Sequence, residues 1–273
     1  LSLFIQSHGT KTFFKKDIPP LEKVDHLAIE RPLEIALRVK NEETPVSLTM
    51  RTPGDDKCLA LGYLLAEGIV KSKLDIDWEN FREAQTEDKV YIPLIKAPKN
   101  LKGLERGTVM NSSCGVCGKT SLEGLDSLEV KEKNFKNFFF SHHFLYGLPE
   151  KLKERQSVFK KTGGLHGAAL VDENGQLLAI KEDVGRHNAV DKLFGLCFLN
   201  NIETEGRILL LSGRASYELL QKAARAKISL VAAIGPPSSM AVSLAKKYSM
   251  TLVGFLKDNS FNCYEGEKRI SYE

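Results

Sequence analysis

Between Asn188 and Leu256 the chain passes three times from helical spacing into a short, unbroken apolar run, which limits the possible folds more than any other feature. Val190, Leu193, Phe194, Cys197 and Phe198 recur at the helical period, and Ile208 to Leu211 follow as four consecutive apolar residues. Tyr217 to Lys227 reads as a second helix and Ile228 to Ile234 as a strand. Met240, Leu244 and Tyr248 then mark a third helix before a strand over Thr251 to Leu256. Apolar runs separated by helices are strands buried on both faces and joined by crossovers, so they lie parallel in one sheet. The expected class is α/β.

Ahead of this region the pattern differs. Leu33 to Met50 reads strand, turn, strand around Asn41-Glu42-Glu43-Thr44-Pro45, a hairpin signal. Cys58, Leu61, Gly62, Leu65 and Ala66 share one stripe of a helix over Asp55 to Ile69, expected to pack on that hairpin. Asp55 and Asp56 at its start read as caps that favour the helix macrodipole. Lys89 to Ile95 and Gly107 to Ser113 read as strands. Leu165 to Val171 and Gln176 to Ile180 flank Asp172-Glu173-Asn174-Gly175 as a further hairpin, and Phe261 to Tyr272 reads as a closing one. The organisation expected is an α+β unit over 1–110, a loop-rich connector over 111–147 and an α/β domain over 148–273. Phe135 to Tyr146 is the densest aromatic stretch, read as packing between units or, more sharply, as a partner-docking surface.

At 273 residues, with 42% hydrophobic and 27% charged residues, the chain can bury a core without disulfide staples. The net charge of +4 is spread over 39 basic and 35 acidic residues, too diffuse for a nucleic-acid polymer footprint but suited to a small anion. No apolar stretch is long enough for a membrane span and no signal peptide is visible, so the expected compartment is the cytoplasm.

In an open parallel sheet, ligands bind beyond the carboxyl ends of the strands. Three strand ends can be read directly: Ser212-Gly213-Arg214-Ala215-Ser216, Gly235-Pro236-Pro237-Ser238-Ser239 and Lys257-Asp258-Asn259-Ser260. Glycine lets the backbone approach a ligand, and Arg214 can fork onto a phosphate ahead of a helix N-terminus. The bland alternative, ordinary caps and turns, carries equal weight here. Two further loops can reach the same crevice: Thr162-Gly163-Gly164-Leu165-His166, and Glu182-Asp183-Val184-Gly185-Arg186-His187-Asn188. The second puts two acids, an arginine, a histidine and an amide within seven residues, which suits ligand contact or a buried polar network.

Asn111-Ser112-Ser113-Cys114-Gly115-Val116-Cys117-Gly118-Lys119-Thr120 is the sharpest chemical signal. Two thiols separated by two residues can share a metal, close a disulfide, or let one resolve a persulfide on the other. Lys119 and a helix N-terminus beyond it would lower a thiol pKa. Structural zinc needs four ligands, and no second Cys-x-x-Cys exists. A three-ligand set of Cys114, Cys117 and His166 stays open, and a reactive dithiol is favoured over metal. Cys58 and Cys197 read as packed thiols.

Taken together, these residues resemble the FdhD family, sulfurtransferase accessory proteins for formate dehydrogenase. The likeness runs from about Arg31 to Ile270. It rests on Thr49-Met50-Arg51-Thr52-Pro53-Gly54-Asp55-Asp56, Cys114-Gly115-Val116-Cys117-Gly118-Lys119, Thr162-Gly163-Gly164-Leu165-His166, Ser212-Gly213-Arg214 and the stretch from Glu182 to Lys192. The resemblance implies a cytidine-deaminase-like three-layer α/β core with the smaller α+β unit in front of it. It implies that sulfur passes from a cysteine desulfurase, as a cysteine persulfide, to the molybdenum bis(guanine dinucleotide) cofactor before insertion into apo formate dehydrogenase. By motif position Cys114 would carry the persulfide and Cys117 would be the second thiol. Phe255, Leu256, Lys257, Asp258, Asn259 and Ser260 would contact the guanine dinucleotide, with His166, Arg186, His187 and Arg214 lining the same crevice. A homodimer and no permanent metal are implied as well. Two departures stand out: Gly167, where relatives often carry alanine, is expected to loosen the strand start, and Asp258 would repel a phosphate. The deaminase signature of His-x-Glu with Pro-Cys-x-x-Cys is missing, which disfavours a zinc-dependent hydrolase. A non-enzymatic cofactor chaperone is the runner-up.

Overall fold

The computed structural model describes residues 4–81, 88–98, 109–110 and 139–272. Its first element is unforeseen: β1 (Ile5–Lys15) and β2 (Ile18–Ala28) pair antiparallel as a two-stranded ribbon of their own. Pro19 and Pro20 argue against a strand inside a sheet, but both strands of a ribbon are edges, where proline is tolerated.

The expected hairpin follows as β3 (Arg31–Val39) and β4 (Glu42–Arg51). Next come α1 (Asp56–Ala66), β5 (Lys89–Leu94), parallel to β3, and β6 (Val109–Met110), parallel to β4. The sheet order is β5-β3-β4-β6. Alternate residues Leu33, Ile35 and Leu37 of β3 pack with Leu59 and Leu64 of α1 and with Val90 and Ile92 of β5. The two acids at the start of α1 hold the N-cap and first-turn positions expected of them, but their side chains make ion pairs and the N-cap side chain makes no cap bond. Asp55 sits in the left-handed region at φ 58° with no side-chain cap bond, and pairs with Lys181 at 2.8 Å. Asp56 takes a buried, two-pronged ion pair from Arg51, both bonds 2.9 Å.

Beyond the connector lie β7 (Phe140–Ser141), α2 (His142–Tyr146), α3 (Leu148–Arg155), α4 (Phe159–Thr162), β8 (His166–Val171) and β9 (Leu177–Asp183). The alternation read from the sequence then appears as α5 (Arg186–Asn200), β10 (Ile208–Leu211), α6 (Tyr217–Arg225), β11 (Leu230–Ala233), α7 (Ser239–Lys247) and β12 (Thr251–Gly254). The chain closes with β13 (Asn262–Glu265) and β14 (Ile270–Ser271). Six strands form one sheet in the order β13-β12-β11-β10-β8-β9, parallel across β10, β11 and β12 and antiparallel elsewhere.

The strand period of two divides this sheet into faces. Leu209, Leu211, Val231, Ala233 and Leu252 point to α5, α6 and α7, whereas Ile208, Leu210, Leu230, Ala232 and Val253 point to Phe140, Leu145, Leu148 and Leu152. The result is a three-layer α/β core. The tail is not a hairpin: β13 returns onto β12, then a left-handed turn at Gly266 (φ 77°) sends β14 to pair parallel with β7. Nor does Gly167 loosen its strand. A Cβ there would stand 2.7 Å from the Gln156 amide, so the glycine makes room for that buried side chain.

The two sheets are joined through α1 and α5, which run antiparallel against each other. At Gly62 the α1 backbone lies on the Asp191 backbone, and at Gly195 the α5 backbone lies on that of Cys58. Cys58 and Cys197 are buried at this junction, and burial pushes their thiols up to about 11 and about 12. Among the described residues no helix is long and apolar enough to cross a membrane.

Candidate functional site

The carboxyl ends of β10, β11 and β12 are tied into a continuous rim. Gly235 N donates to Gly213 O (3.0 Å), Phe255 N to Gly235 O (3.2 Å), Ala215 N to Pro236 O (3.2 Å) and Ser238 N to Ala215 O (3.0 Å). Glycine is required at two of these positions. A Cβ on Gly235 would meet the Gly213 and Arg214 backbone at 2.9 Å, and one on Gly254 would meet Pro237 Cδ at 2.7 Å. His166, at the start of the antiparallel neighbour β8, extends the rim by one strand, its ring over Gly213. Three strand spacings of about 4.8 Å separate His166 from Phe255, which gives a rim about 14 Å long.

Four expected site residues gather at the β8 end. His166 is half-buried, and its pKa is lowered by burial first and then by the positive charges of Arg186, His187 and Arg214, with Asp183 opposing. That grouping disfavours a proton on the His166 ring. Arg186 opens α5, and its buried Nε has no hydrogen-bond partner among the described residues. A buried guanidinium donor left open is costly, and an anionic group in the crevice would complete it. Arg214 is exposed on the rim. His187 is buried, with Nε2 3.4 Å from Ser216 Oγ and 3.7 Å from Glu218 Oε2. The histidine beside Glu218 brings that carboxyl down to about 2. Serine and acid share one ring nitrogen, so this is no nucleophilic triad, which needs them on opposite nitrogens.

The dense loop before α5 holds the buried polar network read for it. Arg186 and His187 lie close enough to His166 to shift it, His187 also lining a small cavity with Asp191, Glu218 and Arg225, while Asp183 and Asn188 build a buried network beside them. Asp183, fully buried, pairs with Lys192 at 2.7 Å and accepts from Thr52 N (3.1 Å), Gly185 N (2.9 Å) and Asn188 Nδ2 (3.1 Å). Lys192 also donates to Thr52 O at 2.7 Å, and Asn188 to Met50 O at 2.7 Å. The Thr49 to Asp56 stretch is therefore the second half of this network, holding the start of α5 from the other sheet.

At the far end of the rim, Phe255 is exposed with φ 52°, and Lys257, Asp258, Asn259 and Ser260 form an exposed turn closed by Lys257 N donating to Ser260 O at 2.9 Å. Leu256 differs. It is fully buried in the core beneath the sheet. The cap reading holds for part of the rim: Ser238 Oγ accepts from Ala241 N at 3.2 Å as an N-cap, whereas Ser216 caps nothing with its side chain and faces His187 instead. Glu218 is the residue that sequence reasoning missed, because no local spacing links the first turn of α6 to the first turn of α5. Cys114 and Cys117 lie outside the described residues. Among the described residues no cluster of His, Cys, Asp and Glu is placed to hold a metal ion.

A family model described as the FdhD/NarQ family matches residues 28–271. The chain belongs to the FdhD/NarQ family. Its relatives include proteins named sulfur carrier protein FdhD from Streptomyces coelicolor, 41% identical over 90% of this chain and 89% of the relative. Another of the same name, from Picrophilus torridus, is 39% identical over 90% and 92%, and one from Mycobacterium tuberculosis is 41% identical over 92% and 94%. The fold is also that of a crystal structure from Desulfotalea psychrophila, described as a candidate formate dehydrogenase accessory protein. That structure has a TM-score of 0.74 and 22% identity, and the match covers 98% of this chain and all of the other.

Proposed function

We propose that the chain is a cytoplasmic sulfur carrier for formate dehydrogenase maturation, with the molybdenum bis(guanine dinucleotide) cofactor as its substrate in the crevice. The observation that carries this reading is family membership at about 40% identity to named sulfur carriers over nearly the whole chain. The crevice supports it chemically. A rim about 14 Å long with Arg186, Arg214 and His166 suits a phosphorylated ligand that bears a heterocycle.

In this reading the Cys114 thiolate attacks the outer sulfur of a cysteine desulfurase persulfide. The S–S bond of the donor breaks, the desulfurase thiolate leaves, and Cys114 carries the new persulfide. Cys117 thiolate then attacks the inner sulfur of that persulfide. The outer sulfur departs as hydrosulfide for the molybdenum, and Cys114 and Cys117 close a disulfide. Two electrons move from the dithiol to the sulfane sulfur, so the step balances, and a thiol reductant must reopen the pair before the next cycle. Apo formate dehydrogenase receives the sulfurated cofactor, and the carrier works as a homodimer.

Incubation with a cysteine desulfurase and cysteine, followed by intact-mass measurement, is the test. A labile gain of one sulfur, lost on reduction and absent from a Cys114→Ala variant, is expected. No gain, or an equal gain after Cys114→Ala with Cys117→Ala, would overturn the carrier role. Cofactor-dependent maturation that survives in that double variant would point instead to a chaperone.

A further inference from the structure

A groove of about 750 Å³ opens along α1, the latter part of α5 and the end of α6, away from the crevice. The crevice residues Arg186 and His187 occupy the first turn of α5, whereas Phe198 and Asn201 mark its other end, about 20 Å away at 1.5 Å per residue. The groove volume falls within the range of small-molecule sites, roughly 300 to 1,000 Å³. Leu65, Val70, Phe194 and Phe198 give it an apolar lining.

Its charged lining is mostly committed. Lys222 is held by both oxygens of Asp191 at 2.6 and 2.8 Å, and Lys227 pairs with Glu205 at 3.0 Å. Lys73 donates to Leu199 O at 3.2 Å and to Asn201 Oδ1 at 2.5 Å, and Lys71 is engaged as well. Glu203 stands exposed at the mouth. Arg225 is the exception. Its Nε is buried without a hydrogen-bond partner, and among the described residues no ion pair holds its guanidinium. It lies against the Gly68 backbone, where a Cβ would press on Nη1. Buried donors are almost always satisfied, so the orphaned Nε of the half-buried Arg225, on a largely apolar groove of ligand size, is the group there best placed to take an acceptor from outside the chain.

We infer that this groove is a second ligand site, separate from the crevice, for a small organic anion whose carboxylate or phosphate monoester rests on Arg225 and whose apolar body covers Phe194 and Phe198. The inference does not use the thiols or the strand-end rim, although Arg225 also borders a small cavity that it shares with His187 and Glu218.

The sole tryptophan provides the readout. Trp78 Nε1 donates to Lys73 O at 2.9 Å, and Lys73 Nζ lies 5.9 Å from its ring, so a ligand seated beside Lys73 alters its emission. The full chain is titrated with octanoate, octyl phosphate and 1-octanol, followed by fluorescence and checked by calorimetry. Saturable binding of at least one anion is expected, with 1-octanol weaker by about tenfold or more, the worth of a charged hydrogen bond. The tighter of the two anions identifies the headgroup. Arg225→Gln should weaken that anion by a similar factor, and Arg225→Lys should restore part of the loss. Ala66→Glu, a helix-compatible change at the half-buried end of α1, supplies an internal partner to Arg225 and should abolish binding in a protein shown to be folded by circular dichroism. The inference fails if neither anion saturates, if 1-octanol binds as tightly as octanoate, or if folded Arg225→Gln or Ala66→Glu binds the anion like the parent chain.

Discussion

Replacing Gly62 or Gly195 by alanine sets two effects of opposite sign against each other. Helix propensity favours alanine over glycine by about 1 kcal/mol in a helix interior. The crossing of α1 on α5 opposes it. A Cβ on Gly62 would stand 2.8 Å from the Asp191 Cα and closer still to its carbonyl oxygen, and one on Gly195 would stand 2.8 Å from the Cys58 Cα in the same way. The nearest contact, 1.9 Å from each Cβ to the facing carbonyl oxygen, falls well short of the roughly 3.3 Å of a close C···O approach, so the two backbones must part by about 1.4 Å. No flexible side chain can give way, which places the overpacking cost near the top of its usual range, about 3 kcal/mol. Each single variant should therefore lose about 2 kcal/mol net. Because one parting of the helices relieves both contacts, the double variant should lose clearly less than the sum. Urea titration with circular dichroism measures all four corners of the cycle. Stabilisation of either single variant, or strict additivity of the two, would refute the backbone-contact argument.

Three further outcomes are expected. Glu218 has its carboxyl lowered from 4.5 to about 2, chiefly by His187 beside it; a depressed carboxylate stabilises the fold above its unfolded pKa, so this contribution should be complete above about pH 4.5 and fade toward pH 2. Urea midpoints of the parent chain should fall across that window by more than those of Glu218→Gln, and parallel curves would contradict the pairing. Lys192→Met leaves the fully buried Asp183 without its cation and should cost about 3 to 5 kcal/mol in chemical denaturation, with Asp183→Asn added to it recovering part; a loss below 1 kcal/mol, the scale of a surface pair, would show the pair to be solvent-screened. For the crevice, calorimetry with guanosine diphosphate should give about tenfold weaker binding in Arg214→Gln and tighter binding in Asp258→Asn, and changes in the same direction for both would argue against a phosphate between these two residues.

The α/β core was legible because its signals are local. Ile208 to Leu211 forms a strand with the boundaries read from the sequence, and the helices after Asn188 and Tyr217 follow the apolar spacing that α5 and α6 bury. What the sequence hid depends on partners distant in the chain. Asp55 reads as a helix cap until Lys181 arrives from β9 to pair with it. The tail looks like a hairpin because nothing in Phe261 to Tyr272 announces that β14 will pair with β7. The β1–β2 ribbon was missed because paired prolines and scattered lysines mask a strand that needs only one neighbour. Of the rim, the glycines and Arg214 were readable as turn chemistry ahead of helices, whereas Leu256 faces inward because the left-handed Phe255 (φ 52°) breaks the strand alternation and turns Leu256 to the Val253 face. The pairing of His187 with Glu218 required two helices to be brought side by side.

The first two turns of α5 carry Arg186 and His187, which the proposed function assigns to the ligand, and Asn188 and Lys192, which bond to Met50 and Thr52. One rigid rod thus belongs to two bodies at once, so filling the crevice and clasping the amino-terminal sheet draw on a single equilibrium. A bound nucleotide should make that sheet exchange its amide hydrogens more slowly, and any change that loosens the clasp should be felt as weaker ligand affinity. A fragment cut before α5 would keep the strand ends and lose the grip that aims them.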